Sequence, residues 1–523
     1  TSLDLVGINM HKRMVEENKP GTTMRTGASY STWWNGGLRT TAYFHNIVGI
    51  LTETIGSPTP MRIPLVPGRL VPQGNLPFPI EPQEWKFRQS VEYSHTANMA
   101  ILDLAFRYRE KFLFNVWRMG RNSIERASRD NWTQYPSRVE GTARNARLED
   151  FKKPELRDAR AYVMPSNQPD FPTAVKFANA LVENGVEVHF AFEDLNLGGK
   201  KYPPGSLVVR CDQAFRPHIL DMFEPQDHPN DIPAPGAPPT PPYDNAGYTL
   251  AYQMGVQFDR ILEALPDQLP ISPAPNVFPA PVAELLLPRQ SANWTFSPIQ
   301  NDSFRFAAEL LKAKIPVDRL PDGRFLVGEG AAGQRVRSAA KSLGIQFNHE
   351  PRPPKGQRLK EPRVGLWDRY GGSMESGWTR WIFEQFEIPF KVIFAPELDG
   401  GKLTEKYDVL IFVDGAIPGR TTANTQSEEG EPRPAQERDM PAGIPEEFRS
   451  MWGRVTAEKT VPELRKFLEA GGTVITIGSS TSLAYHLDLP VTNALVGTDG
   501  KSLPRAQYYI PGSVLRAKVA KDL

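Results

Sequence analysis

The sequence predicts an α/β protein assembled from several units, and three observations lead to that class. From 360 to 523, short apolar strands alternate with helices: "RVGLW", "KVIFA", "DVLIFV" and "TVITIG" are separated by "SGWTRWIFEQF" and "TVPELRKFLEAGG". That alternation is the signature of a parallel, doubly wound sheet. Between 160 and 350 the order strand, helix, strand, strand, helix occurs twice. Finally, hydrophobic residues make up 40% of the 523, enough to fill several cores.

In chain order, residues 2 to 18 read as a helix, with Leu3, Val6, Met10 and Met14 at helical spacing and Pro20-Gly21 ending it. "STWWNGGLRTTAYFHNIVGILTETIG" (31 to 56) follows, with a turn at Gly36-Gly37 and a buried strand expected at Ile47 to Leu51. Residues 57 to 83 are Pro-rich, and 84 to 130 are mostly helical. The first half of the pseudo-repeat holds Ala161 to Met164, "PTAVKFANALVENG", "VEVHF", "GSLVVR" and "AFRPHILDMFE". A linker, "EPQDHPNDIPAPGAPPTPPYD", favours extended polyproline conformation. The second half reads "ELLLP", "DSFRFAAELLKAK", "PVDRL", "GRFLVG" and "AAGQRVRSAAKSLG". The expected divisions are 1–58, 59–150 (extended and helical), 155–224 (α/β), 225–282 (Pro-rich linker with helix), 283–352 (second α/β) and 360–523.

Composition narrows the function classes. Lys plus Arg (61) nearly equals Asp plus Glu (60), so the basic footprint of a general nucleic-acid binder is missing. No run of about 18 apolar residues predicts a membrane-spanning helix. Cys211 is the only cysteine, which leaves neither an intrachain disulfide nor a cysteine-based zinc site.

Three places have residues suited to chemistry. Glu53 follows the apolar run, and a carboxylate at a strand end can face a cleft, where partial desolvation suits it to proton transfer. The alternative is a loop carboxylate capping the next turn. His45 lies eight residues earlier, about 26 Å away at strand rise, too far to share a metal with Glu53; a structural, hydrogen-bonded His is expected. "TVITIGSSTSLAYHL" places Ser480 in a strand–turn–helix, where a nucleophile elbow would lie. Its Gly-x-Ser-x-Ser differs from Gly-x-Ser-x-Gly, however, and His486 is only six residues on. Gly371-Gly372, between a strand and a helix, could offer amides to an anion or form an ordinary turn.

The segment "YSTWWNGGLRTTAYFHNIVGILTET" resembles the closing part of a carboxypeptidase A-like zinc metallopeptidase. In that family an aromatic, Gly-rich loop with a mobile Tyr leads into a central strand ending in the general-base Glu. The resemblance implies that Glu53 is that base and that Tyr30 closes over the substrate. Arg39 could reach a carboxylate of substrate or of the protein itself. "YVMPSNQPDFPTAV", "QAFRPHILDMFEPQD" and "AYQMGV" resemble large multidomain bacterial members. Residues 360–523 resemble a class I glutamine amidotransferase-like domain with no Cys at its turn.

The family binds zinc through His-x-x-Glu and a later His, with water in the open position. None of His11, His45, His95, His189, His218, His228, His349 and His486 begins a His-x-x-Glu. The expectation is therefore a fragment: 1–58 is the C-terminal part of the catalytic domain, and the zinc ligands lie in a missing upstream part. The implied parent is a metallocarboxypeptidase acting on peptide or protein C-termini, with no nucleic-acid partner, periplasmic or secreted. Two alternatives stay open: a catalytically inactive peptide- or glycan-binding scaffold, and a serine hydrolase at Ser480. Leu38 hints at an apolar preference.

Overall fold

The computed structural model describes residues 2–24, 37–140, 145–226, 232–241, 249–274, 293–419, 440–441, 443–497, 503–504, 506–510 and 518. Helices and sheets are mixed throughout, as the α/β class requires. The chain divides into two compact units, Thr1–Phe278 with Pro504–Leu523, and Pro279–Leu503.

The first unit opens with α1 (Ser2–Glu16) and α2 (Leu38–Phe44). A two-stranded ladder of β1 (Met61–Arg62) and β2 (Glu84–Trp85) precedes α3 (Phe87–Arg107) and α4 (Arg109–Ala127). Val6 and Met14 of α1 are buried where the helix packs on α3, which offers Ala97, Ala100 and Leu104. Small side chains on α3 let the two backbones approach. At the end of α1, Glu17 accepts hydrogen bonds from Thr96 Oγ1 (2.5 Å) and Lys19 Nζ (2.9 Å), tying the turn back to α3.

The strand expected at Ile47 to Leu51 does not form. The chain is helical through Phe44, turns at His45–Ile47, and has no regular structure from Val48 to Gly56. Two features bend it. Asn46 is left-handed (φ 61°), and Gly49 passes so close to the Arg39 carbonyl oxygen that any Cβ there would overlap it. Ile47, expected inside, is 56% exposed. An apolar run of this length fits a strand only when a neighbour completes the ladder, and no described residue pairs with it.

After the short α5 (Pro136–Glu140) comes a five-stranded antiparallel sheet. Its strands are β3 (Ala161–Met164), β4 (His189–Ala191), β7 (Leu207–Arg210), β8 (Asp259–Ile261) and β9 (Ile271–Pro273), in the order β8-β3-β7-β4-β9. A hairpin, β5 (Leu195–Leu197) and β6 (Lys200–Tyr202), interrupts it. Helices α6 (Phe171–Glu183), α7 (Arg216–Phe223) and α8 (Leu250–Gln253) complete the unit. Asp170 caps α6, its carboxylate accepting from Thr173 N and Thr173 Oγ1. Fully buried β3 and the rings of Tyr162, Phe177 and Phe223 form the core; Tyr162 stacks on Phe223 at 4.2 Å. The segment read as a linker, 225–282, thus supplies α8 and both outer strands. Each strand has three residues, and β9 ends in Pro273, which an edge strand tolerates.

The second unit starts with a sheet of the same plan. Strands β10 (Asn293–Phe296), β11 (Val317–Arg319), β12 (Phe325–Gly328), β13 (Phe347–His349) and β14 (Gln357–Arg358) lie in the order β13-β10-β12-β11-β14, with α9 (Asp302–Lys312) and α10 (Glu329–Leu343) between them. Numbered within each sheet, both orders are the same, fourth-first-third-second-fifth, and every pairing is antiparallel. The pseudo-repeat is therefore a repeat of topology. "ELLLP" lies outside the described residues, and "NWTF" is the first strand.

Next comes an all-parallel four-stranded sheet, β15 (Val364–Trp367), β16 (Lys391–Ile393), β17 (Val409–Phe412) and β18 (Thr473–Thr476), in the order β16-β15-β17-β18. Helices α11 (Met374–Gln385), α12 (Ala395–Asp399), α13 (Leu403–Lys406) and α14 (Thr460–Glu469) connect the strands, and α15 (Leu483–His486) follows. Right-handed crossovers put α11 on one face and α12 to α14 on the other; accordingly, α12 and α13 pack on α14. On β18, Ile475 and the following Ile477 are 44% and 47% exposed.

Candidate functional site

A cleft of about 900 Å³ lies in the first unit between α1, α3, β1 and the irregular run Ile50–Ile55. Its lining is mostly apolar, including Met10, Met14, Ile63, Ile80 and Trp85, and its polar members include Asp4, His11, Arg62 and Glu53. Glu53 therefore faces a cleft, as expected, but from a loop and not from a strand end. Its side chain is exposed. Tyr93 also lines the cleft; burial raises its hydroxyl above the ordinary tyrosine range, and it donates to Pro20 O at 2.8 Å.

Arg39, on α2, is half-buried and lies outside the lining of the cleft. Tyr30, Trp33 and Trp34 lie outside the described residues. Leu38, on the same helix, is 91% exposed. Sequence reasoning did not reach the α1 side of the cleft: Leu3, Val6, Met10 and Met14 gave only an apolar stripe at helical spacing, and Leu3, Met10 and Met14 line the cleft. The signal lay in His11 and Asp4, polar residues interleaved with that stripe.

His45 is structural, as expected, but it is not on a strand. It closes α2, with Nδ1 2.7 Å from Thr41 O and Nε2 2.9 Å from Asn184 O, and its ring packs on Phe215 and His218 at 4.6 and 4.5 Å. Burial, followed by the nearby His45, pushes His218 down to about 4. Under this cluster, Asp158 accepts from Arg216 Nη2 at 2.6 Å, Asn131 Nδ2 at 2.5 Å, Thr133 N at 2.9 Å and Thr133 Oγ1 at 2.8 Å.

Ser480 is fully buried. Its Oγ donates to Val413 O at 2.5 Å and accepts from Ala416 N and Ile417 N, both at 3.1 Å. That hydroxyl pins the loop after β17, and His486 is turned to Pro418 O at 2.8 Å. At Gly371-Gly372, Gly372 N donates to Arg369 O, Ser376 N to Ser373 Oγ and Gly377 N to Ser373 O. Those amides serve an ordinary turn and helix cap.

Among the described residues, no group of three His, Cys, Asp or Glu side chains is placed to hold a metal ion. Nor is any helix among them long and apolar enough to cross a membrane. No family model, no curated protein and no solved structure matches the chain.

Proposed function

We propose that this chain contributes the general-base Glu of a zinc-dependent metallocarboxypeptidase that hydrolyses C-terminal peptide bonds in proteolysis, and that it is inactive alone. The observation that supports the reading is Glu53, exposed on the wall of a cleft of about 900 Å³. A carboxylate there can take a proton from an attacking water and return it to the leaving amine. Among the described residues no group of side chains fits zinc, so the role proposed for this chain is proton transfer alone. Tyr30 covers the substrate in this reading, and Arg39 is its candidate carboxylate contact. The all-parallel sheet supports an amidotransferase-like assignment for 360–523, with Ser480 held as a structural hydroxyl. The compartment proposed is periplasmic or extracellular.

The test is Glu53→Gln in the intact parent that this reading proposes, assayed for release of C-terminal residues and for bound zinc. Loss of turnover with zinc retained is expected. Retained turnover removes the assignment. One observation favours a second reading, a catalytically inactive peptide- or glycan-binding scaffold: the cleft is chiefly apolar. One tightly held zinc per chain, found by elemental analysis of this protein after dialysis, would count against both readings, since each leaves this chain without a zinc site of its own.

A further inference from the structure

The two oxygens facing the His45 ring are both backbone carbonyls, and carbonyls only accept hydrogen bonds. Nδ1 and Nε2 therefore both donate only when the ring is an imidazolium. In either neutral tautomer, one ring nitrogen turns a lone pair toward an oxygen less than 3 Å away. Each oxygen is also a helix-end carbonyl. Thr41 O belongs to the last turn of α2, and Asn184 O to the residue that closes α6. Such carbonyls lack intrahelical partners and carry the negative end of the helix dipole, so both favour a cation between them.

The charged and titratable neighbours are consistent with this. On α7, His218 stays neutral down to about 4, and Arg216 is engaged by Asp158. On α6, Glu183 precedes Asn184. Arg39 and Tyr43 are the ionisable groups on α2 itself. Next to the ring, Asn46 Nδ2 donates to Ala214 O at 3.0 Å, so two consecutive side chains fasten this point of the chain to the α/β part of the unit. Five residues after His45, the chain enters the cleft wall at Ile50.

We propose that His45 is a proton-operated latch. Its imidazolium clamps the end of α2 to the end of α6 and holds the Ile50–Ile55 wall of the cleft in place. Loss of the proton breaks one of the two bonds and loosens that wall. The latch stands on its own geometry; its bearing on catalysis rests on the reading of Glu53 given above.

The test uses the 523-residue chain and needs no turnover. Ring-nitrogen NMR of His45 is followed from about pH 5.5 to 8, the range in which imidazoles change charge, together with hydrogen exchange, corrected for intrinsic rate, of the His45 and Ile47 amides, which both donate to Ala42 O where the chain leaves α2 for the cleft wall. Expected at low pH are two protonated ring nitrogens. Protection of those two amides should then fall by about tenfold as the ring loses its proton, the scale of one charge-assisted hydrogen bond. His45→Gln should remove that pH dependence at Ile47, and His45→Arg should keep protection high across the range. A neutral His45 ring at pH 5.5, or protection of the Ile47 amide that ignores pH in the wild type, overturns the latch. The wild-type titration decides the matter even if a variant folds poorly. Turnover lost or kept in Glu53→Gln bears on the catalytic reading alone.

Discussion

Replacing Arg216 by Met removes a guanidinium that lies 2.6 Å from Asp158, with both side chains only 5% exposed. Two opposing terms set the cost. Breaking one side of a buried pair leaves the other charge uncompensated, typically about 3–5 kcal/mol. Asp158, however, keeps its bonds from Asn131 and from the amide and hydroxyl of Thr133. Arg216 Nε is itself buried with no hydrogen-bond partner among the described residues, so its removal also relieves an existing penalty. Arg216→Met should therefore fall at the low end, about 3 kcal/mol. Asp158→Ala removes all four bonds and strands the guanidinium, which puts it near the upper end, about 5 kcal/mol. The double variant removes both charges and should cost less than the sum of the singles by about 2 kcal/mol. Amide exchange in β3 and α7 is the appropriate assay, because it reports this unit and not the whole multidomain chain. Additive costs, or a cost below about 1 kcal/mol for Arg216→Met, would refute the view that the pair is coupled and holds the start of α7.

Ser480→Ala orphans the buried amides of Ala416 and Ile417 and should destabilise the parallel sheet by about 1–3 kcal/mol in denaturant melts. The same burial predicts that a fluorophosphonate probe leaves wild-type Ser480 unlabelled. Gly49→Ala should loosen α2, since the added carbon meets the Arg39 carbonyl; about 1–3 kcal/mol of lost protection across Leu38–Phe44 is expected by amide exchange. Hydrogen bonds from Thr96, Lys19 and Arg13 hold Glu17 down at about 2 from a usual 4.5. Its contribution is therefore complete above about pH 4.5 and is lost as pH falls toward 2, so acid should loosen α1 from α3, read as exchange in the α1 amides; Glu17→Gln should blunt that response.

The parallel sheet was legible because buried strands such as "VGLW" and "VLIF" are continuous apolar runs bounded by turn residues. The helices around 2–16 and 87–127 were legible from their 3.6-residue spacing. The outer strands β8 and β9 were not: "DRI" and "ISP" carry little apolar signal, and their pairing to Ala161–Val163 and His189–Ala191 is set by residues far away in sequence. At the candidate site, Glu53 was legible as a cleft residue, but its backbone was misjudged. The apolar run Ile47–Leu51 offered no way to foresee that Asn46 and Gly49 fold it back on α2. The double acceptor at His45 was hidden for the same reason, since Asn184 O reaches the ring only through the fold.

The shared strand order has a consequence for synthesis on the ribosome. In both sheets the three inner strands are translated before the fourth strand, which pairs with the first. In the second sheet that partner arrives soon: β12 ends at Gly328 and β13 begins at Phe347. In the first, β7 ends at Arg210 and β8 begins only at Asp259. The nascent edge of β3, wholly apolar as "AYVM", therefore waits longer for its partner while the Pro-rich stretch is made. An unpaired apolar edge invites intermolecular pairing. The first sheet is thus the half of the repeat that would gain most from slow release or from a chaperone while translation proceeds.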